Sequence, residues 1–244
     1  MVPPILILAA SFAGLIRMNA KRILWSIGLQ IFAALVYTTP WDNYLVFKGI
    51  WIYGEGRVVG TLGYVPIEEY IFFLLQPIFT GLLTVGFLRN TNLQFDRPPL
   101  FSSPRAVGFF LAMTCLGVVA LFKESTLYLG LILAWGAPVL GFHWFIGGAL
   151  LKKLWLPLTK TILVSTAYLW FCDIIALREK IWSISEVFTT GIFIGSYLPI
   201  EEALFFLLTN VLVVQGVALF LYDDGLKPLE RWTGRLPNWR ARAF

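Results

Sequence analysis

Long apolar runs separated by short polar breaks dominate this chain. Seven of them approach the length of about 20 residues that a membrane-crossing helix needs: 3–16, 23–40, 65–88, 105–122, 126–147, 158–177 and 198–222. The breaks are RMNAKR (17–22), the 41–64 segment, RNTNLQFDRPP (89–99), KES (123–125), KKLWLPLTK (152–160), REKIWSISE (178–186) and the tail from Asp223. The pattern predicts an all-α integral membrane fold of seven transmembrane helices. The first run lacks a preceding basic segment, and Arg17, Lys21 and Arg22 follow it. It therefore reads as a retained first helix rather than a cleaved leader.

A second regularity lies on top of the first. PIEEYIFFLL at 66–75 returns as PIEEALFFLL at 199–208, with eight of ten positions identical. Upstream, Asp42 and Trp51 match Asp173 and Trp182 at an offset of 131, against 133 for the motif, so an indel of two residues separates the two blocks. Runs 1, 2 and 3 then correspond to runs 5, 6 and 7, and run 4 is left over. Two bare three-helix copies in tandem would be inverted; one extra helix between them makes the repeats parallel, as in some transporters. The expected organisation is a first repeat at 1–90, a linker with a connecting helix at 91–125, a second repeat at 126–222 and a cytoplasmic tail at 223–244. It brings six acids, Asp42, Glu68, Glu69, Asp173, Glu201 and Glu202, to one end of the bundle.

Composition supports the membrane reading. Charged residues are 14% of the 244 positions and hydrophobic ones 58%, against about 25% charged in soluble domains; the mean hydropathy is +0.77. The net charge of +5 reports topology rather than nucleic-acid binding. The loops between runs 1–2, 3–4 and 5–6, with the tail, hold 14 Lys and Arg residues against 5 on the other side. That places the N-terminus outside and the C-terminus in the cytoplasm of a multi-pass cell-membrane protein. Cys115 and Cys172 sit in apolar runs and read as small buried hydrophobes. His143 is the single histidine and reads as a structural residue, so no metal site is expected. GEGRVVG (54–60) has GxGxxxG spacing in a loop and is not a dinucleotide fingerprint.

The Glu pairs admit a plain explanation as helix starts, since Pro suits the first helical position and acids the first turn. Two pairs set against Phe-Phe-Leu-Leu runs exceed what a helix start requires, and ionisable groups in apolar spans are costly. Adjacent helical residues point about 100° apart, so one Glu of each pair faces a cavity and the other supports it; spacing does not say which. On run 3, Glu69, Gln76, Thr80 and Thr84 share a polar stripe, matched on run 7 by Glu202 and Thr209.

These motifs resemble the membrane-embedded, cofactor-independent lycopene cyclases, marked by a Pro-x-Glu-Glu/Asp motif in each half. The resemblance covers nearly the whole chain, with run 4 as the fusion helix. It implies a redox-neutral cyclisation of linear carotenoid end groups. An acid protonates C2, the C5=C6 bond attacks the cation at C1, and a base removes a proton; loss from C6 gives a β ring, from C4 an ε ring, from the C5 methyl a γ ring. The expected products carry β rings, as in γ- and β-carotene. Glu68, Glu69, Glu201 and Glu202 are the implied proton-transfer candidates, with Asp42 and Asp173 as orienting or relay groups. Trp51 and Trp182 are cation-stabilising or interfacial aromatics, Phe72, Phe73, Phe205 and Phe206 line the substrate, and Pro66 and Pro199 are structural. No flavin, nicotinamide or metal is implied. The implied partners are lycopene or a related linear carotenoid and membrane lipid, without nucleic acid; self-association or association with other carotenoid enzymes is compatible. A microbial rhodopsin is excluded because run 7 has no Schiff-base Lys. A small proton-coupled transporter and a non-catalytic carotenoid-binding subunit are the alternatives.

Overall fold

The computed structural model describes residues 1–89, 91 and 103–221, with the backbone alone at 15–19. The expected tail at 223–244 and the linker stretch at 92–102, with their share of the basic residues, lie outside the described residues.

Among the described residues, eight α-helices form the body: α1 (Val2–Ser11), α2 (Ala13–Ala33), α3 (Thr39–Lys48), α4 (Ile67–Leu88), α5 (Pro104–Ala120), α6 (Leu127–Lys153), α7 (Trp155–Arg178) and α8 (Ile200–Leu221). Five stretches among the described residues are long and apolar enough to cross a membrane: Ala20–Lys48, Ile67–Leu88, Glu124–Lys153, Trp155–Arg178 and Ile200–Leu221. α1 and α5, at 10 and 17 residues, are shorter.

Several boundaries differ from the expectation, each for a local reason. The break expected at 17–22 is helical, because Arg, Met, Ala and Lys are good helix formers whatever their polarity. The chain turns instead at Phe12, with φ −109° and ψ 14°. The second run does not stop at 40. A five-residue π turn at Ala34–Thr38 leads directly into α3. Pro40, with no N–H to donate and a ring that crowds the preceding turn, accounts for the local widening. Asp42 therefore lies inside a helix and is fully buried, not in the loop that the sequence placed at 41–64. The break expected at 152–160 shrinks to Leu154 alone between α6 and α7. Both cysteines are exposed rather than buried. His143 is half-buried, with its ring hydrogen-bonded to Gln215.

The helices meet in two apolar clusters at opposite ends. One gathers Ile23 and Ile27 of α2, Leu82 and Val85 of α4, Leu150 of α6 and Val217 of α8. The other gathers Leu45, Trp51, Tyr128, Trp135, Leu169 and Phe205. α4 and α8 thus both begin in the aromatic cluster and end in the aliphatic one. Between the clusters, Asn210 ties three helices together. Its Oδ1 accepts from Gln76 Nε2 (3.0 Å) and Thr80 Oγ1 (2.8 Å) on α4, and its amide donates to Thr166 Oγ1 (3.2 Å) on α7. The expected stripe of Gln76 and Thr80 is therefore met by Asn210; Thr209 bonds back to Phe206 O of its own helix at 3.0 Å. α5 and α6 approach closely through glycine: a methyl at Gly130 would lie 2.9 Å from the Gly117 carbonyl oxygen, the small-residue contact common between membrane helices.

Candidate active site

Three short strand pairs shape the end where α4 and α8 begin. Strand β1 (Trp51–Tyr53) pairs antiparallel with β4 (Trp182–Ile184), opposing Tyr53 to Trp182 and Trp51 to Ile184. Strands β2 (Thr61–Leu62) and β3 (Val65–Pro66) form one hairpin, and β5 (Phe193–Ile194) and β6 (Leu198–Pro199) another. Gly63 at φ 69° and Gly195 at φ 64° open the two turns, a conformation that favours glycine. The second hairpin has three turn residues to the first one's two, which locates one residue of the indel. Pro66 and Pro199 are the last strand residues, so each helix starts one position later than expected, at Ile67 and Ile200.

The two members of each Glu pair have different partners. Glu68 Oε1 accepts the Val59 N–H at 2.8 Å, and Glu201 Oε1 accepts the Thr190 N–H at 2.6 Å. The first glutamate of each motif thus ties down the loop before its own helix. The second glutamate turns away, as the 100° step between helical neighbours requires, and meets a tyrosine. Tyr53 Oη donates to Glu69 Oε1 at 3.1 Å, and Tyr128 Oη donates to Glu202 Oε2 at 2.5 Å. Trp51 Nε1 donates to the Tyr128 hydroxyl at 3.0 Å, completing a buried Trp51–Tyr128–Glu202 chain. Burial, followed by the charge of Glu69 beside it, holds the Tyr53 hydroxyl above the ordinary tyrosine range, so it remains a donor.

A cavity of about 240 Å³ lies between α4, α7 and the β1–β4 ribbon. Glu68, Glu69 and Phe72 of α4 line it, with Asp173 of α7 and Phe205 and Phe206 of α8. Trp51, Tyr53 and Trp182 form its aromatic wall. The Trp51 ring stands edge-on to Trp182 and to Phe205, each with centroids 5.5 Å away, and Tyr53 stacks on Trp182 at 6.2 Å. Trp51 is 2% exposed, which makes it a core residue rather than an interfacial anchor.

Other expected site residues stand back from this space. Phe73 is buried against Tyr70, with ring centroids 5.9 Å apart. Glu201 and Glu202 are fully buried and neither lines the cavity, whereas Glu68 and Glu69 both do, so the expected one cavity-facing Glu per pair is not what the packing gives; Pro66 and Pro199 belong to the hairpins. Glu202 and Asp42 remain within electrostatic reach of Glu69, and Glu202 of Asp173 as well. Neither carboxylate oxygen of Asp42 has a hydrogen-bond partner among the described residues. Sequence reasoning missed Tyr53 and Tyr128. Tyr53 lies two positions after Trp51 in one strand, so strand alternation could have flagged it. Tyr128 lies before the matched blocks and carried no signal. Among the described residues, no cluster of three or more His, Cys, Asp or Glu is arranged to hold a metal ion.

Neither a family model nor a solved structure matches the chain. Among individual proteins, it is 39% identical over 206 residues to a lycopene beta-cyclase of Halobacterium salinarum, covering 84% of both chains. This chain belongs to the lycopene beta-cyclase family. It is also 34% identical over 246 residues to a bifunctional lycopene cyclase/phytoene synthase of Gibberella fujikuroi, and 35% identical over 251 residues to that of Leptosphaeria maculans. These matches cover 98% and 97% of this chain but 41% and 42% of the fungal proteins. The matches extend well beyond the paired motifs that first suggested the family.

Proposed function

We propose that this protein is a lycopene cyclase that closes linear ψ end groups into β rings by proton transfer, without net redox change. One observation carries the reading: a single apolar cavity holds carboxyl groups from both halves of the chain, Glu69 and Asp173, against the rings of Trp51 and Trp182.

The residues divide the work as follows. Glu69, oriented through one oxygen by Tyr53, carries the proton to C2 of the terminal double bond. The cation at C1 is attacked by the C5=C6 bond, which forms the C1–C6 bond and moves the charge to C5. The indole faces favour that charge. Asp173 takes the proton from C6, and the C5=C6 bond re-forms within the ring. One proton enters and one leaves, so the acid must be reloaded for the next turnover. Glu202 and Asp42, within reach of Glu69, provide a route inside the protein. Glu68 and Glu201 hold the loops and through them the cavity roof. Seven membrane crossings in two parallel repeats, with the N-terminus outside a cell membrane and the C-terminus in the cytoplasm, are part of the same proposal. The common starting end of α4 and α8 supports the parallel arrangement.

Expression in a lycopene-accumulating host, with pigment analysis, tests the function. Conversion to cyclic carotenoids is expected, with at least a hundredfold loss in Glu69→Gln and Asp173→Asn. Lycopene left untouched by a folded, membrane-inserted protein would refute it.

A further inference from the structure

Three exposed residues line the cavity, Arg57, Cys172 and Ile181, and they differ in chemistry. Arg57 lies beside Val58 in the loop after β1. Cys172 lies on α7 and is a free thiol. We propose that the carotenoid end group enters sideways from the bilayer, through a mouth between α4 and α7 at Cys172. This rests on the cyclase reading above.

Size is the first argument. At about 240 Å³ the cavity falls below the range of about 300–1,000 Å³ that encloses a drug-sized ligand. It holds one end of a forty-carbon chain, and the rest must lie outside, where a hydrocarbon is soluble. Depth is the second. α7 has 24 residues, about 36 Å at 1.5 Å per residue, against a hydrocarbon core of about 30 Å. Cys172 lies six residues before the helix end at Arg178, so about 9 Å in from it and below the interface. Side-chain size is the third. Cys172 and Ala176, one turn apart and both small, line the cavity, while their neighbours Phe171 and Ile175 are 64% and 45% exposed on the outer face of α7. The helix thus presents a low sill flanked by lipid-facing side chains. Further along the same helices, Phe79 of α4 and Tyr168 of α7 close the seam, with ring centroids 4.8 Å apart. The mouth is therefore bounded at that end by the two rings. The Arg57 side offers a hydrated cation, which a hydrocarbon with no polar group cannot replace as a partner.

The test uses the full-length protein carrying Cys115→Ala, so that Cys172 is its one thiol, in vesicles with lycopene. Labelling with N-(1-pyrenyl)maleimide is expected to lower the initial cyclisation rate at least tenfold, and the smaller N-ethylmaleimide less. Lycopene in the vesicles should slow labelling relative to lycopene-free vesicles. The reagents should leave the rate of a Cys115→Ala/Cys172→Ser protein, whatever its value, unchanged. Fully labelled protein that cyclises at the unlabelled rate overturns the proposal. As a second arm, Ala176→Trp should slow turnover at least tenfold and Val58→Trp less; the reverse order moves access to the Arg57 side and overturns it too. If unlabelled protein leaves lycopene untouched, the cyclase reading itself falls and this proposal with it.

Discussion

Removing one oxygen, in Tyr128→Phe, isolates the buried chain behind the cavity. The Tyr128 hydroxyl accepts from Trp51 Nε1 at 3.0 Å and donates to Glu202 Oε2 at 2.5 Å. Tyr128 and Glu202 are fully buried and Trp51 nearly so. Phe keeps the ring and its edge contact with Trp51, whose centroid is 6.2 Å away, so no large cavity is added. Two buried groups lose their partner at once. Polar contacts between membrane helices average about 0.6 kcal/mol and reach about 1.7, and leaving a buried polar group without its partner costs about 1–3 kcal/mol. Glu202 already has one oxygen without a partner among the described residues, which puts the expected loss at about 2–3 kcal/mol. That is a factor of roughly 30–150 in the unfolding equilibrium. Titration with sodium dodecyl sulfate in mixed micelles, followed by circular dichroism, measures it. The double variant Tyr128→Phe/Glu202→Gln should show coupling of about 1 kcal/mol, since the residues share one bond. A single-variant loss under about 0.5 kcal/mol, or additive effects, would refute the reasoning.

Other perturbations separate the remaining parts. Asn210→Leu removes three hydrogen bonds among α4, α7 and α8 and should cost about 2 kcal/mol in the same unfolding assay. Gly130→Ala forces a methyl onto the α5 backbone and should lose about 1–3 kcal/mol, whereas Gly28→Ala, with nothing within 4 Å, should not destabilise. Glu68→Gln and Glu201→Gln keep an oxygen for the loop N–H groups and should slow cyclisation several-fold less than Glu69→Gln and Glu202→Gln, as pigment ratios will show. Preformed lycopene incubated with the protein in vesicles in deuterated water should yield rings carrying one deuteron at C2, read by mass spectrometry; rings without deuterium would exclude a proton donor that exchanges with solvent.

Much of this organisation was legible from the chain alone. Apolar runs must be helical in lipid, because no water is present to satisfy the backbone, so composition and run length led directly to an α-helical membrane protein. The repeated PIEE motif with its Asp and Trp suggested two halves, and the family resemblance rested on the same residues. What failed was local. Polarity was taken as a break at 17–22, where propensity keeps the helix going, and the π turn before Pro40 carried Asp42 into a helix. Phe73 and Phe72 are adjacent, yet one packs away from the cavity and the other lines it. Periodicity gives relative angles around a helix axis, not the direction of the neighbour.

Which partner each glutamate of a pair takes was decided only by tertiary structure. The motif writes both in the same way, and a helix separates them by about 100°. It took the Val59 and Thr190 N–H groups on one side, and Tyr53 and Tyr128 on the other, to give them different partners. Those partners come from a loop, a strand and a separate helix, brought together by chain segments up to 74 residues apart. The repeated motif put a pair of acids at the start of both α4 and α8; the packing of unrepeated residues around them gave the two pairs unequal surroundings.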